Sequence, residues 1–378
     1  MRLMSKSHHV CLSVFLCLTV VAFAQQDPAP GGPTAKPESV STGVPQAPSL
    51  SPQVEPGLAP ESRGGRIKLD LVVTDSLGKP VSGLAIKDFT LLDNGRPNRI
   101  LAFDGFDGAD QHGDPLVEAI LVIDTLNLPI DQVIYMRQGV ERFLRQNGGH
   151  LALPVSVFVL NKSGLGFQQP PSQDGNGLAA ELGRHANTLS SVRPSEGANG
   201  EFELFKVSVD ALNSIVNGER SKPGRKLLIW AGHGWPMLDL PGMESSPKTR
   251  QQYFAVIVQL STRIREARMP VYSISSGHPG IDTFTHEAFL RGVKSPDKAS
   301  IPNLALRVLA IQSGGRVMGP SNDVAGQIDD CIRDASAFYR LSFDPTRANS
   351  PNEFHELKVV VDQPGVTART SSGYYNQP

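Results

Sequence analysis

From Arg66 onward, apolar side chains recur at every second position. Ile67, Leu69, Leu71 and Val73 bracket Lys68 and Asp70. A period of two sets one face toward a core and the other toward water, which predicts a half-buried strand. The run ends in the turn Asp75-Ser-Leu-Gly78-Lys-Pro80, and Phe89-Thr-Leu-Leu92 opens a second strand. Asp93-Asn94-Gly95 supplies the positive φ angles of a tight hairpin, so Arg99-Ile-Leu-Ala-Phe103 is expected to return against it. A module of roughly forty residues encloses too little core to stand alone, and it needs a partner to pack on.

Beyond it the pattern becomes strand then helix, repeated. Short apolar runs at 117–124, 154–160, 226–231, 270–275 and 315–318 read as strands, with 164–169 as an antiparallel edge. Between them apolar residues fall three or four apart. Val133, Met136, Val140, Phe143 and Leu144 form one stripe, which Asp131 is expected to cap and Gly148-Gly149 to stop. Phe202, Phe205, Val209, Leu212 and Val216 form another, and Tyr253, Ile257, Leu260, Ile264 and Ala267 a third. Leu304, Val308 and Ile311, then Val324, Ile328 and Ile332, complete the set. Such stripes are core, and the alternation predicts an α/β domain over 117–337, a mainly parallel sheet with helices on both faces. The β pattern returns at Phe338–Phe343, Phe354–Val361 and Val366–Tyr375. The simplest arrangement pairs 338–376 with the N-terminal module 66–106 in one small β-sandwich.

The first 65 residues have a different character. Residues 1–24 combine a basic start (Arg2, Lys6), an apolar run from Val10 to Val21 and the small-x-small end Ala22-Phe23-Ala24, as a secretory signal peptide requires. Residues 25–65 hold nine prolines and no aromatic residue, a composition that cannot offset its ordering entropy and predicts a disordered, semi-extended linker. The mature chain is thus expected to be secreted or periplasmic, with no membrane span. Cleavage would remove Cys11 and Cys17 and leave Cys331 alone, between Ile328 and Ile332 on a helix, so no intramolecular disulfide is expected. It would also take Arg2 and Lys6 from the 36 basic residues, leaving 34 against 37 acidic ones, a net charge of −3. No nucleic-acid partner is suggested.

The candidate chemistry centres on Ile120-Leu-Val-Ile-Asp124-Thr-Leu-Asn127-Leu128, a buried strand ending in a carboxylate. It resembles the first core strand of a von Willebrand factor A (vWA) domain, in which Asp-x-Ser-x-Ser builds a divalent-cation site. Leu126 and Leu128 occupy the two serine positions and offer no oxygen to a hard cation. In the second family loop Glu196-Gly-Ala-Asn-Gly200 lacks the threonine, and in the third Ala231-Gly-His233-Gly234 stands where Asp-Gly is usual. The resemblance extends over roughly 66–375 to the VWFA-related acidobacterial proteins. It is carried by Leu71-Val-Val-Thr-Asp75, Gly78-Lys-Pro-Val-Ser-Gly-Leu84, Asp88-Phe89, Arg225-Lys-Leu-Leu-Ile-Trp230, Gly234-Trp-Pro236, Tyr339-Arg-Leu-Ser-Phe343 and Gly373-Tyr-Tyr375. It implies a secreted protein with a vWA-type, Rossmann-like fold and a degenerate metal site, and it brings no assigned biochemical activity.

Open α/β sheets bind ligands at the carboxyl ends of their strands. In vWA topology Asp124, His233 and His278 end neighbouring strands, where they would meet Asn127, Asp282 and His286. Imidazole with carboxylate suits Zn²⁺ or another transition metal. On the competing reading the two histidines bond within glycine-rich turns and Asp124 caps a backbone amide. The segment Pro279–Pro302 follows a strand on the same edge and mixes Phe284, His286, Phe289 and Leu290 with Arg291, Lys294 and Lys298, as a partner clamp or as a lid helix would. No Gly-x-Ser-x-Gly, His-Glu-x-x-His or phosphate-loop motif is present, and Gly164-Leu-Gly166 lacks the third glycine of a dinucleotide fingerprint. The expected function is a non-catalytic, cofactor-free binding or scaffold protein that meets a protein partner through Asp124, Asn127, His233, Phe284 and Phe289. A cation-dependent adhesion module and a metal-assisted hydrolase, using Asp124, His233, His278, Asp282 and His286, are the alternatives.

Overall fold

The computed structural model describes residues 65–107, 117–185, 198–232, 234–235, 245–276 and 286–378. The alternating run forms β1 (Ile67–Thr74), followed by β2 (Phe89–Asp93) and β3 (Arg96–Asn98), joined by a turn in which Asn94 (φ 50°) and Gly95 (φ 76°) both take the left-handed backbone. The strand that returns against β2 is β3, three residues at 96–98, rather than Arg99–Phe103. The chain then crosses to another sheet as β4 (Ala102–Asp107).

The α/β part follows as β5 (Val117–Asp124), α1 (Ile130–Arg145), β6 (His150–Asn161), β7 (Gly164–Asp174), α2 (Gly175–Arg184), α3 (Ala198–Arg220), β8 (Arg225–Ala231), α4 (Pro247–Glu266), β9 (Val271–Ile274), α5 (Leu306–Gln312) and α6 (Val324–Ile332). Its five-stranded sheet runs β7-β6-β5-β8-β9, parallel throughout except for the β7 edge. Alternation on the central strands divides the interior into two cores. Ile120, Val122, Leu228 and Trp230 face one, with α3, α4 and α5; Ala119, Leu121, Ile123, Leu227 and Ile229 face the other, with α1, α2 and α6.

Several elements depart from expectation. Asp131 lies inside the first turn of α1 and caps nothing; Pro129 is the N-cap, with its φ preset near the helical value. Residues 315–318 make only a bridge, Ser273 with Val317, beside β9. The antiparallel edge continues to Asp174, through Pro170-Pro171, which an edge strand tolerates because its outer N–H groups face away from the ladder. Helix α2 was not anticipated in its glycine-rich sequence; Asp174 starts it by accepting the Gly177 amide at 2.9 Å.

The chain closes with β10 (Ala337–Phe343), β11 (Glu353–Val361), β12 (Thr367–Arg369) and β13 (Gly373–Asn376). Two antiparallel sheets result, β12-β1-β10-β4 and β13-β11-β2-β3, each built from both ends of the folded chain. Leu69, Leu71, Phe89, Leu91, Leu341, Phe343 and Leu357 fill the one core they share. Among the described residues no helix is long and apolar enough to cross a membrane.

Candidate functional site

The central strand β5 delivers Asp124 to the carboxyl edge of the parallel sheet, with β8 beside it in register from Val117↔Arg225 to Ile123↔Ala231. In this strand order connections leave β5 and β8 in opposite directions, and the crevice between their carboxyl ends is where such sheets take ligands. Gly232 lines it closely: a Cβ there would stand 2.7 Å from Asp124 Cβ, so only glycine permits this approach.

Asp124 is fully buried and its carboxylate is completely engaged. Oδ1 accepts the backbone amides of Leu126 (3.1 Å) and Asn127 (3.0 Å), and Oδ2 accepts Asn127 Nδ2 (2.8 Å) and the indole Trp230 Nε1 (2.9 Å). Four donors meet the four lone-pair positions a carboxylate has. Burial pushes its pKa above the usual carboxylate range, against the pull of those hydrogen bonds. Asn127 Nδ2 also donates to Ser208 Oγ on α3 (3.0 Å), and Ser208 donates to the Leu204 carbonyl (2.8 Å). Trp230 meets Trp235 edge-on, centroids 5.2 Å apart, and Trp235 Nε1 donates to the Leu304 carbonyl (2.9 Å).

The loop after Asp124 is fastened by its apolar residues as well. Leu126 is buried in the core on one face of the sheet and Leu128 in the core on the other, so the two leucines anchor the loop like pegs. Thr125 joins it to β6, its amide (3.0 Å) and hydroxyl (2.7 Å) both donating to the Leu160 carbonyl.

The structure thus brings Asp124 and Asn127 together. His233, His278, Asp282 and Phe284 lie outside the described residues, and His286 opens a short turn, His286–Phe289. Phe289 ends that turn, and its carbonyl accepts Gln312 Nε2 (3.4 Å) from the last residue of α5. From there the segment runs to the antiparallel sheets, where Val293 O accepts the Tyr375 hydroxyl (3.1 Å) and Gly292 lies against the Phe354 ring. The described part of that segment thus touches both α5 and the antiparallel sheets. Among the described residues no three His, Cys, Asp or Glu side chains are grouped so as to hold a metal ion. Trp230 and Ser208 were not anticipated as parts of the site. The one signal was an indole on an otherwise aliphatic strand, Leu227-Leu-Ile-Trp230.

No protein-family profile and no curated protein sequence matches the chain. Among solved structures it is similar to the manganese-loaded TRAP protein of Plasmodium vivax, at 10% identity and a TM-score of 0.33, over 74% of this chain and 97% of that one. It is similar to the human COPII-coat protein Sec24c at 9% identity and a TM-score of 0.29, over 70% of this chain and 44% of that one. The PilB minor pilin from Streptococcus sanguinis is similar at 12% identity and a TM-score of 0.32, over 59% of this chain and 62% of that one.

Proposed function

We propose that the chain is an exported, non-catalytic binding or scaffold protein, whose vWA-type domain offers the loops at the carboxyl edge of its parallel sheet to a protein partner and holds no metal at Asp124. The observation that carries this reading is the saturated carboxylate: a cation at Asp124 would have to displace one of its four donors, the Leu126 or Asn127 backbone amide, the Asn127 side-chain amide or the Trp230 indole. Leu126 and Leu128 support it, because side chains that would be ligands in a metal-binding loop serve here as core. The signal-like residues 1–24 and the proline-rich 25–65 support export.

The test is thermal unfolding of the full chain after EDTA treatment, then with Mg²⁺, Mn²⁺, Ca²⁺ or Zn²⁺. A cation that binds only the folded state at a hundredfold excess over Kd adds about 2.7 kcal/mol, a midpoint shift on the order of 5 °C. No shift is expected with Mg²⁺, Mn²⁺ or Ca²⁺. A rise with one of these that Asp124→Ala abolishes would overturn the proposal in favour of cation-dependent adhesion.

A further inference from the structure

At the opposite end of the parallel sheet, where β5 and β8 begin, Glu118 stands on the face that carries Ile120 and Val122, with Lys226 as its register partner on β8. That face packs against α3, and the last turn of α3 brings Glu219 to the same place. Glu219 is 6% exposed, and the half-buried Glu118 carboxyl lies within hydrogen-bonding reach of it. Two carboxylates this close repel each other unless a cation or a proton stands between them.

The nearby cations leave one oxygen of the pair unserved. Lys222 Nζ donates to Glu219 Oε1 at 2.6 Å. Lys226 Nζ is occupied by the carbonyls of Lys222 (2.6 Å), Pro223 (2.9 Å) and Gly224 (3.3 Å), which use the three donors an ammonium has. Arg268, on the turn after α4, is taken by Asp70 at 2.9 Å, and Arg220 by Glu266 at 3.4 Å. Glu219 Oε2 is buried and has no hydrogen-bond partner among the described residues. Buried acceptors in native proteins are paired with few exceptions, and a proton on the carboxyl beside this one supplies the missing donor without any opening to solvent.

We propose that Glu118 and Glu219 share one proton, forming a pH-sensitive clasp that holds the end of α3 against the first residues of β5 and loosens when the proton leaves to solvent. Glu118 is the acid and Glu219 Oε2 its acceptor, while Lys222 keeps Oε1. Burial is the largest cause pushing the Glu118 carboxyl above the usual range, followed by the charge of Glu219 and the contact with it; Lys222 and Lys226 pull more weakly the other way. A carboxyl whose folded pKa is raised adds stability that is complete below its unfolded value near pH 4.5 and is lost as pH rises through the folded one.

The experiment is a titration of the full chain from about pH 4 to about pH 9, wild type beside Glu118→Gln, whose side-chain amide offers Glu219 Oε2 a donor at every pH. In wild type labelled with ¹³Cδ-glutamate, one carboxyl resonance missing from the variant should titrate above the ordinary glutamate value. Urea midpoints of the two should agree near about pH 4 and separate as pH rises, the variant standing higher by about 0.5 M or more at about pH 8, the shift that a tenfold difference in proton affinity gives. Amide exchange in the last turn of α3, taken as the ratio of wild type to variant at each pH so that chemical exchange cancels, should rise by about tenfold over the same interval. A resonance at or below the ordinary value, or a midpoint gap independent of pH, would overturn the shared proton. A variant less stable than wild type at about pH 8 would overturn it too, by making Glu118 an ionised partner of the lysines. An exchange ratio constant with pH would overturn the clasp.

Discussion

Replacing Asp124 by asparagine preserves shape and removes only the second acceptor oxygen and the charge. In its best orientation the new amide keeps its oxygen toward the Leu126 and Asn127 amides. Its NH₂ then faces Asn127 Nδ2 and Trp230 Nε1, donor against donor, at what are now contacts of 2.8 and 2.9 Å. Each stranded buried N–H costs about 1–3 kcal/mol. A flip of the Asn127 amide, whose buried Oδ1 has no partner, recovers one of them, and losing the buried charge offsets part of the rest. The expected net loss for Asp124→Asn is therefore about 2–4 kcal/mol, a large fraction of a typical folding stability of about 5–15 kcal/mol. With a urea m-value near 3 kcal/mol/M this moves the midpoint down by about 1 M at constant m. The assay is urea unfolding followed by tryptophan fluorescence, which reads Trp230 and Trp235 directly. A midpoint within about 0.3 M of wild type, at unchanged m, would mean that the carboxylate does not hold these four donors in solution. The whole account of the loop would fall with it.

Three further outcomes are expected. Leu126→Ser places a hydroxyl two residues after Asp124 yet should cost about 3 kcal/mol through lost core, and Mg²⁺ should not recover it in thermal unfolding; recovery would show that the saturated carboxylate opens to cations. Burial pushes the Asp93 carboxyl up, but hydrogen bonds from Thr346 (2.7 Å), Tyr374 (2.7 Å) and His355 (3.0 Å) together outweigh it and hold it below the usual range. A depressed carboxylate contributes stability that is complete above its unfolded value near pH 4 and is lost as pH falls through the folded one. Urea midpoints of Asp93→Asn and wild type should thus differ most at neutral pH and converge below about pH 4, and a gap independent of pH would contradict this. Burial pushes the Cys331 thiol up to about 12, so thiol reagents should modify the folded chain only as fast as it opens; rapid labelling without denaturant would refute that placement.

Local pattern was a good guide wherever a residue's fate depends on its near neighbours. The alternation on β5 and β8 sorts their side chains onto two faces, and the helical stripes of α1, α3 and α4 are the ones that pack. It failed where start and stop signals compete, as at Pro129 against Asp131, and where a helix as short as α2 has a glycine-rich sequence and a weak stripe. It also failed at length: Val366–Tyr375 reads as one strand but divides into β12 and β13, which serve different sheets.

By itself the sequence determined most of the strands and the long helices, and that Asp124, followed by Leu126 and Leu128, ends an apolar strand, because these follow from periodicity and residue chemistry. Only the tertiary structure decided what those features do. The donors that complete Asp124 come from Trp230, 106 positions away, and from Asn127, itself tied to Ser208, 81 positions on. The arginines around Asp70 and Asp334 gather from β8, β10, β12 and the turn after α4, though none of them is conspicuous in its own stretch of chain. A hydrogen bond or an unpaired charge is a property of what folding brings within about 3 Å, and no local pattern records it.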